Sequence, residues 1–346
     1  MKIFLKSDGE QINNLSPFTK TRPISELRIG IFTIREKWEM LLASTAEIVS
    51  SIETGDVIQI NSAIIPTQNN YLQIIEASKG NSSLPDFIKV LQYPWQIFQW
   101  NEEFLRADFE LITEGRKSID IDNTNTCKNP ANIFIEPGAQ ISMCMINAEE
   151  GPVYIGKNAL IMEGCMLRGP ITIGENAVVK MGTKIYGATS IGKGCVAGGE
   201  IKNSILFENS NKAHDGYLGD SVIGAWCNLG AGTSASNVKN SAANITYQIE
   251  NSGRSVSVGN KAGLIMGDYS RCAINTSFNT GTIVGTGCNI FETGFPPKNV
   301  RNFSWGKERY RLEKLLTDIS NWKKMKGHSL SENEINKLTL LYSTEK

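Results

Sequence analysis

Residues 155–197 read IGKNALIMEGCMLRGPITIGENAVVKMGTKIYGATSIGKGCVA, and their spacing decides the fold. Every sixth residue is apolar: Ile155, Ile161, Leu167, Ile173, Val179, Ile185, Ile191 and Ala197. The residue four places later is usually small, as at Ala159, Cys165, Ala177, Thr183, Thr189 and Cys195. An α-helix repeats every 3.6 residues and cannot keep a six-residue register over such a length. The pattern therefore predicts a β-solenoid.

A longer period sets the shape of each coil. The pair Ile-Gly recurs at 155–156, 173–174 and 191–192, which is every third hexad. Three short strands per coil, with a turn after each, give a triangular parallel β-helix whose apolar residues point inward and whose small residues fit the corners. The register resumes over 205–233 and 266–290. Long repeats of this kind stack into one continuous core.

Two segments break the register, at 206–216 and at 234–257. We expect both to leave the solenoid as loops. Insertions in repeat proteins usually lie on one face, and that face usually binds the ligand. The sequence thus predicts a functional site near these two segments.

The flanking regions lack the repeat. Helical spacing at 24–42 and 94–117, beside short apolar runs, predicts a small α/β domain at the N-terminus. Amphipathic patterns at 306–326 and 331–343 predict two helices that cap the solenoid, whose open end needs cover. The predicted domains are an α/β domain over 1–117, a linker over 118–132, the β-helix over 133–297 and a helical cap over 298–346.

Composition excludes several classes of protein. Lys+Arg and Asp+Glu are both 35, so a general affinity for nucleic acid or an acidic membrane is not expected. The sequence shows neither a signal peptide nor an apolar run that could span a bilayer. None of the seven cysteines forms a CxxC pair, and several occupy corner positions. They are typical of buried thiols in a cytoplasmic protein.

A specific motif follows at residues 200–233, which read EIKNSILFENSNKAHDGYLGDSVIGAWCNLGAGT. This stretch resembles the acetyltransferase half of the bifunctional enzymes that make UDP-N-acetylglucosamine, although one Gly before His214 is missing. The N-terminal stretch 17–39, with GRKS at 115–118 and FSWG at 303–306, looks like bacterial fusions of a sugar-1-phosphate nucleotidyltransferase with such a solenoid. The resemblance implies a left-handed β-helix, a homotrimer with shared sites, and acetyl transfer from acetyl-CoA to an amino-sugar phosphate, most simply glucosamine-1-phosphate.

The resemblance also implies roles for individual residues. His214 is the candidate general base, since an unperturbed imidazole, with a pKa of about 6.5, can accept a proton near neutral pH. Lys202 and Lys184 are candidate phosphate ligands, with Lys184 standing where the family has an Arg. Tyr217 and Asn228 match sugar-contacting positions. Backbone N–H groups of Gly230, Ala231, Gly232 and Thr233 are candidates for holding the thioester carbonyl or the oxyanion.

The chain departs from the family at two places. The Gly-rich nucleotide loop is replaced by Leu5-Lys6-Ser7-Asp8-Gly9-Glu10, in a domain about half the usual size. In the second loop, neither Lys239 nor Arg254 aligns with the family's basic residue, and Ile274 stands where the family has a Ser.

Other functions remain open at this stage. One is nucleotidyl transfer from UTP or dTTP with Mg²⁺, for which the carboxylates of Asp8, Asp56, Asp86 and Asp108 are candidate ligands. Another is a non-catalytic trimeric scaffold. A β-helix carbonic anhydrase needs three zinc-binding histidines, whereas the solenoid contains only His214.

Overall fold

The computed structural model describes residues 1–43, 45–51, 57–249 and 253–345. Its centre is a parallel β-solenoid, flanked by an N-terminal α/β domain and two C-terminal helices. This is the architecture that the hexad pattern predicts, and it is a β-helix of the left-handed hexapeptide type. Within the described residues, no helix is long and apolar enough to cross a membrane.

The N-terminal domain is built on a small parallel sheet. Lys2–Lys6 lies between Glu47–Val49 and Val57–Asn61. Four helices pack around it: α1 (Gly9–Asn14), α2 (Ile34–Leu42), α3 (Tyr71–Ser78) and α4 (Gln96–Thr113). Short 3₁₀ turns occur at Phe18–Lys20 and Ile24–Glu26, and a third lies at Pro130–Asn132 before the solenoid.

The predicted helix over 24–42 is wrong in its first part. Residues Arg28–Ile29 and Phe32–Thr33 form a small antiparallel hairpin instead. Its turn contains Gly30 at φ +76°, a conformation that a continuing helix does not allow. Thr33 then caps α2, forming a reciprocal capping box with Glu36. Helix α4 lies inside the predicted range 94–117.

Three parallel sheets form the walls of the solenoid. The first sheet has nine strands: Ile133–Ile135, Val153–Ile155, Ile171–Ile173, Thr189–Ile191, Ile205–Leu206, Val222–Ile223, Leu264–Met266, Thr282–Val284 and Asn299–Val300. The second sheet has ten: Gln140–Ile141, Leu160–Ile161, Val178–Val179, Val196–Ala197, Asn211–Lys212, Asn228–Leu229, Arg271–Cys272, Asn289–Ile290, Ser304–Trp305 and, antiparallel, Glu308–Arg309. The third sheet has eight: Thr126–Lys128, Met145–Asn147, Met166–Arg168, Lys184–Tyr186, Glu200–Lys202, Tyr217–Gly219, Ser234–Ala235 and Ser277–Phe278.

The core confirms the six-residue register. Ile155, Ile173 and Ile191 are paired in successive coils and are buried. The small corner residues Ala159 and Cys165 are also fully buried. The ladders extend past 133–297 at both ends, because Thr126–Lys128 pairs with Met145–Asn147 and Asn289 pairs with Trp305.

Residues 206–216 do not form the predicted loop. Leu206 pairs with Ile191, and Asn211 pairs with Val196, so this segment stays in the ladders. The register shifts because the coil is shorter than eighteen residues, not because residues are inserted. His214 therefore lies in a corner turn of the solenoid and not in an excursion from it.

The second break is a true insertion. The chain leaves the third sheet after Ser234–Ala235, forms the hairpin Thr246–Gln248 with Ser255–Ser257, and returns at Leu264–Met266. The hairpin packs on the N-terminal domain, where buried Tyr247 stacks on Trp95 with ring centroids 5.2 Å apart. The insertion thus joins the two domains.

The N-terminal domain covers the outer surface of the first sheet. The Asn101 amide oxygen accepts a hydrogen bond from the Gly30 N–H at 2.7 Å, and its Nδ2 donates to the Ala188 carbonyl at 2.7 Å. Arg22 spans the same interface and binds Asp268 at 2.7 Å and Glu208 at 3.0 Å. These buried polar contacts fix the orientation of the domain on the solenoid.

The C-terminal helices, α5 (Leu312–Met325) and α6 (Glu332–Thr344), lie along the second sheet and not only over the end of the solenoid. Trp322 of α5 stacks against Arg271, and the Lys326 ammonium reaches the Gly194 carbonyl at 2.8 Å. His328 meets the Trp226 ring edge-on at 5.2 Å between centroids. Much of the outer surface of the third sheet stays exposed.

Candidate functional site

His214 lies at the corner between the second and third sheets. We call this feature the His214 corner and define it by four stacked turns: 198–199, 213–216, 230–233 and 273–275. His214 is exposed. Its turn follows the strand Asn211–Lys212 of the second sheet and precedes Tyr217–Gly219 of the third. The imidazole is therefore accessible to a ligand from solvent.

Glycines allow the turns of this corner to stack closely. A Cβ on Gly199 would lie 2.7 Å from the Gly216 carbonyl oxygen and 2.8 Å from that of His214. Gly216, at φ +120°, packs directly on the Thr233 carbonyl. The Asp215 carbonyl accepts a hydrogen bond from the Gly232 N–H at 3.1 Å. Neighbouring coils thus hold the backbone on both sides of His214.

Lys212 is a site residue that the sequence interpretation missed. It takes an inward position, pairing with Ala197, whose small side chain leaves room beneath it. Its ammonium is buried and donates to the carbonyls of Gly198, at 3.0 Å, and His214, at 2.6 Å. Burial lowers the pKa of Lys212 to about 8, although nearby Asp215 opposes the shift. The sequence signal that could have identified Lys212 is a charged residue at a hexad position that is otherwise apolar.

The outer surface of the third sheet beside this corner carries polar side chains. Lys202 lies on the strand next to Tyr217, and its ammonium is 5.5 Å from the centre of the Tyr186 ring. The Tyr186 hydroxyl donates to Glu200 at 2.7 Å. Burial, with Asp220 and Glu200, raises the pKa of Tyr217 to about 12, so its hydroxyl stays protonated near neutral pH. This surface offers both a cation and a hydroxyl donor.

The count back from Lys202 that matched Lys184 to a family Arg position crosses a shortened coil. An ungapped count makes them neighbours in adjacent coils, but Lys184 pairs with Glu200 and Lys202 pairs with Tyr186. The short coil causes this shift. Lys184 is exposed on the same sheet, diagonal to Lys202.

Asn228 lies on a different wall from Lys202 and Tyr217. It belongs to the second sheet, where its Oδ1 accepts a hydrogen bond from Asn211 at 3.3 Å. The structure therefore brings Lys202, Tyr217 and the His214 turn together on one side, and places Asn228 around the corner from them.

The turn of residues 230–233 stacks directly on the His214 turn. The N–H groups of Gly230, Gly232 and Thr233 already donate to carbonyls, those of Cys272, Asp215 and Gly230 respectively. Among these four residues, all within the described chain, Ala231 alone has an amide with no such acceptor. Of the four candidates, Ala231 is thus the best placed to donate to a ligand.

The second loop lies away from this corner. The Lys239 ammonium donates to the Asn244 carbonyl, and Arg254 lies 3.4 Å from Asn14 of the N-terminal domain. Ile274, in contrast, is at the His214 corner and is 68% exposed. An apolar side chain therefore stands beside the turn that carries Ala231.

The carboxylates considered for Mg²⁺ have other partners or positions. Asp8 caps α1, and Asp108 forms a buried ion pair with Lys37. Asp86 is exposed, and Asp56 lies outside the described residues. Within the described chain, no group of three or more His, Cys, Asp or Glu side chains could hold a metal ion.

Comparison with known proteins finds a family match in the N-terminal domain and another in the solenoid. Residues 4–87 match the family model described as sugar nucleotidyl transferase, and residues 152–187 match that of bacterial transferase hexapeptide repeats. The bifunctional protein GlmU of Methanococcus maripaludis strain C5 is 28% identical over 259 residues, which are 66% of this chain and 54% of that protein.

Two further relatives match over shorter stretches and carry names of the same kind. The bifunctional protein GlmU of Methanocaldococcus jannaschii is 36% identical over 91 residues, 26% of this chain and 22% of that protein. The bifunctional sugar-1-phosphate nucleotidylyltransferase/acetyltransferase of Sulfurisphaera tokodaii is 32% identical over 93 residues, 27% of this chain and 23% of that protein. The chain spans about half the length of the first of these relatives. It joins a segment resembling sugar nucleotidyltransferases to a hexapeptide-repeat solenoid, and in this combination it resembles the bifunctional nucleotidyltransferase–acetyltransferases.

Proposed function

We propose that the protein is an acetyl-CoA-dependent N-acetyltransferase that acts on an amino-sugar phosphate, most simply glucosamine-1-phosphate, in the cytoplasm. The observation that carries the proposal is the His214 corner. An accessible imidazole lies between glycine turns, next to a surface that carries Lys202 and Tyr217. The relatives named as bifunctional enzymes support the same class of reaction.

The proposed chemistry assigns one task to each group. His214 removes a proton from the substrate amine as the amine attacks the thioester carbonyl. The C–S bond then breaks, and coenzyme A leaves as a thiolate that takes the proton back from the imidazolium, so that the products are the amide and the free thiol. The Ala231 N–H donates to the oxygen that becomes negatively charged. Lys202, supported by Lys184, binds the sugar phosphate by charge, and the Tyr217 hydroxyl donates to the sugar. Asn228 contributes only if the substrate extends around the corner.

Product analysis tests the substrate directly. The full chain is incubated with acetyl-CoA and either glucosamine-1-phosphate or glucosamine-6-phosphate, and the products are identified by mass spectrometry. We expect the acetylated 1-phosphate to form faster. Acetylation of neither sugar phosphate, nor of other amino sugars in a panel, would favour a scaffold instead.

We propose that the enzyme is a homotrimer formed through the third sheet. The N-terminal domain and α5 cover the other two walls, whereas Met145 and Met166 on the third sheet are 59% and 48% exposed. Neighbouring copies would bury these apolar side chains and place a second wall opposite His214.

The trimer makes a prediction of its own. Met166→Asp should reduce a trimeric mass to that of the monomer, because a buried unpaired carboxylate disrupts an apolar interface. Leu72→Asp, at an exposed position in the N-terminal domain, is the matched control and should leave the trimer intact. Light scattering at micromolar concentration measures both. A monomeric wild type would contradict the proposal.

A second candidate function is nucleotidyl transfer by the N-terminal domain, favoured by the family match over residues 4–87. We expect this activity to be weak or absent. The Gly-rich loop is missing, and Asp108 is committed to Lys37. With UTP or dTTP, a sugar-1-phosphate and Mg²⁺, pyrophosphate release should stay at the level of a blank reaction. Sustained release that depends on the sugar phosphate would overturn this expectation.

A further inference from the structure

A row of polar side chains runs along the outer surface of the second sheet, beneath α5. The row begins where Val196 pairs with Asn211, and it continues through Asn228 and Arg271. Two earlier coils carry Leu160 and Val178 at the same position, and the first carries the exposed Gln140, so the buried part of the polar row lies in the later coils. The residues that follow these in each strand, Lys212, Leu229 and Cys272, point into the interior of the solenoid, which fixes the outward direction of the row.

Arg271 is the exceptional member of this row. The residue is 7% exposed, and its Nε, Nη1 and Nη2 are all buried. Within the described chain, none of the three nitrogens has a hydrogen-bond acceptor. Its guanidinium carbon lies 5.6 Å from the centre of the Trp322 ring. Burial lowers the pKa of Arg271, because the charged form loses its hydration.

The nearby carboxylate is bound to other groups. Asp318 accepts hydrogen bonds from the Tyr310 hydroxyl and, at 3.1 Å, from Lys314. Arg22, in contrast, is a buried arginine whose guanidinium is paired with two carboxylates, those of Asp268 and Glu208. These carboxylates raise the pKa of Arg22 despite its burial. Arg271 has no comparable partner among the described residues.

A second unpartnered atom lies in the same row. The Asn211 Oδ1 is buried and has no donor in the described structure, while the Asn211 Nδ2 contacts Asn228. A guanidinium presents a fork of N–H donors that fits phosphate oxygens, and burial without an acceptor is costly. The row therefore combines donors suited to an anion with an acceptor suited to a hydroxyl.

From these contacts we propose that Arg271, assisted by Asn211, binds the phosphate group of a small molecule beneath α5. Trp322 covers this site, and ligand entry requires that side chain to move. The ligand is either a sugar phosphate or a phosphate of coenzyme A, since both carry phosphate and hydroxyl groups. The proposal holds whether or not the protein transfers an acetyl group, because it concerns binding alone.

Calorimetric titration of the full chain tests the proposal. The probes are inorganic phosphate, glucosamine-1-phosphate and coenzyme A, which separate the two sources of phosphate. We expect Arg271→Met to weaken binding of at least one phosphate compound by more than about tenfold, since one charged partner of a buried contact is lost. Arg271→Lys should bind with intermediate affinity, because it keeps the charge and loses the fork.

The matched control is Arg106→Met, which removes a partly exposed arginine from α4 in the N-terminal domain and should leave this affinity unchanged. Thermal unfolding of each unliganded variant shows that it is folded. Binding of all three probes to Arg271→Met with wild-type affinity would overturn the proposal. So would the absence of any phosphate binding to the wild type.

Discussion

His214→Ala should lower kcat for acetyl transfer by about 10²- to 10⁴-fold, which is the usual contribution of a positioned general base. The imidazole is exposed, and it is the one histidine that the solenoid carries, so another imidazole in the solenoid cannot replace it. The substitution removes no core packing, and we expect the fold, the oligomeric state and the affinity for acetyl-CoA to be retained.

The matched control for this variant is His328→Ala. His328 is the other histidine of the chain, and it packs edge-on against Trp226 at a different corner of the solenoid. Its loss should change kcat by less than about twofold, as expected away from the reacting groups. Steady-state rates of thiol release across a pH series measure both variants. If kcat of His214→Ala stays within about threefold of the wild-type value, His214 is not part of the mechanism.

Lys212→Met should lower kcat by about 10- to 100-fold while changing the KM for acetyl-CoA little, an effect expected when a catalytic group is displaced by about 1 Å. The Lys212 ammonium holds the His214 carbonyl and the Gly198 carbonyl together inside the corner. Methionine fills the inward position but donates no hydrogen bond. Lys157→Met, at an exposed site on another corner, is the control and should keep wild-type kcat.

Lys212→Met should also change how the free energy of unfolding depends on pH. The pKa of Lys212 is about 8 in the folded chain and 10.5 for an unperturbed lysine. Between these values the unfolded chain binds the proton that the folded chain has released, so the free energy of unfolding rises with pH, by roughly 3 kcal/mol in all. Lys212→Met should lack this rise. An unchanged pH dependence in the variant would show that Lys212 is not the responsible group.

The six-residue register could be predicted because it follows directly from packing. One inward apolar residue per strand and one small residue per corner are required in every coil, as Ile173 and Ala177 illustrate. The motif grouped His214 with Tyr217 and Lys202, and all three lie within two successive coils, but His214 occupies a corner turn and not the loop that the broken register suggested. The N-terminal domain was recognisable, although Gly30 ends the helical pattern that its sequence suggests.

Other features depend on relations between coils that spacing alone does not determine. A coil can lose residues while its inward residues still stack, and for this reason Lys184 pairs with Glu200 and not with Lys202. The position of α5 along the second sheet depends on long-range contacts, such as that between Trp322 and Arg271.

Thiol release from acetyl-CoA, measured with glucosamine-1-phosphate and full-length protein, tests the central claim most directly. We predict saturable release that requires the sugar phosphate and falls by about 10²-fold or more in His214→Ala. Release that does not depend on an amino sugar, or a wild-type rate equal to that of His214→Ala, would contradict the assignment of acetyl transfer to the His214 corner.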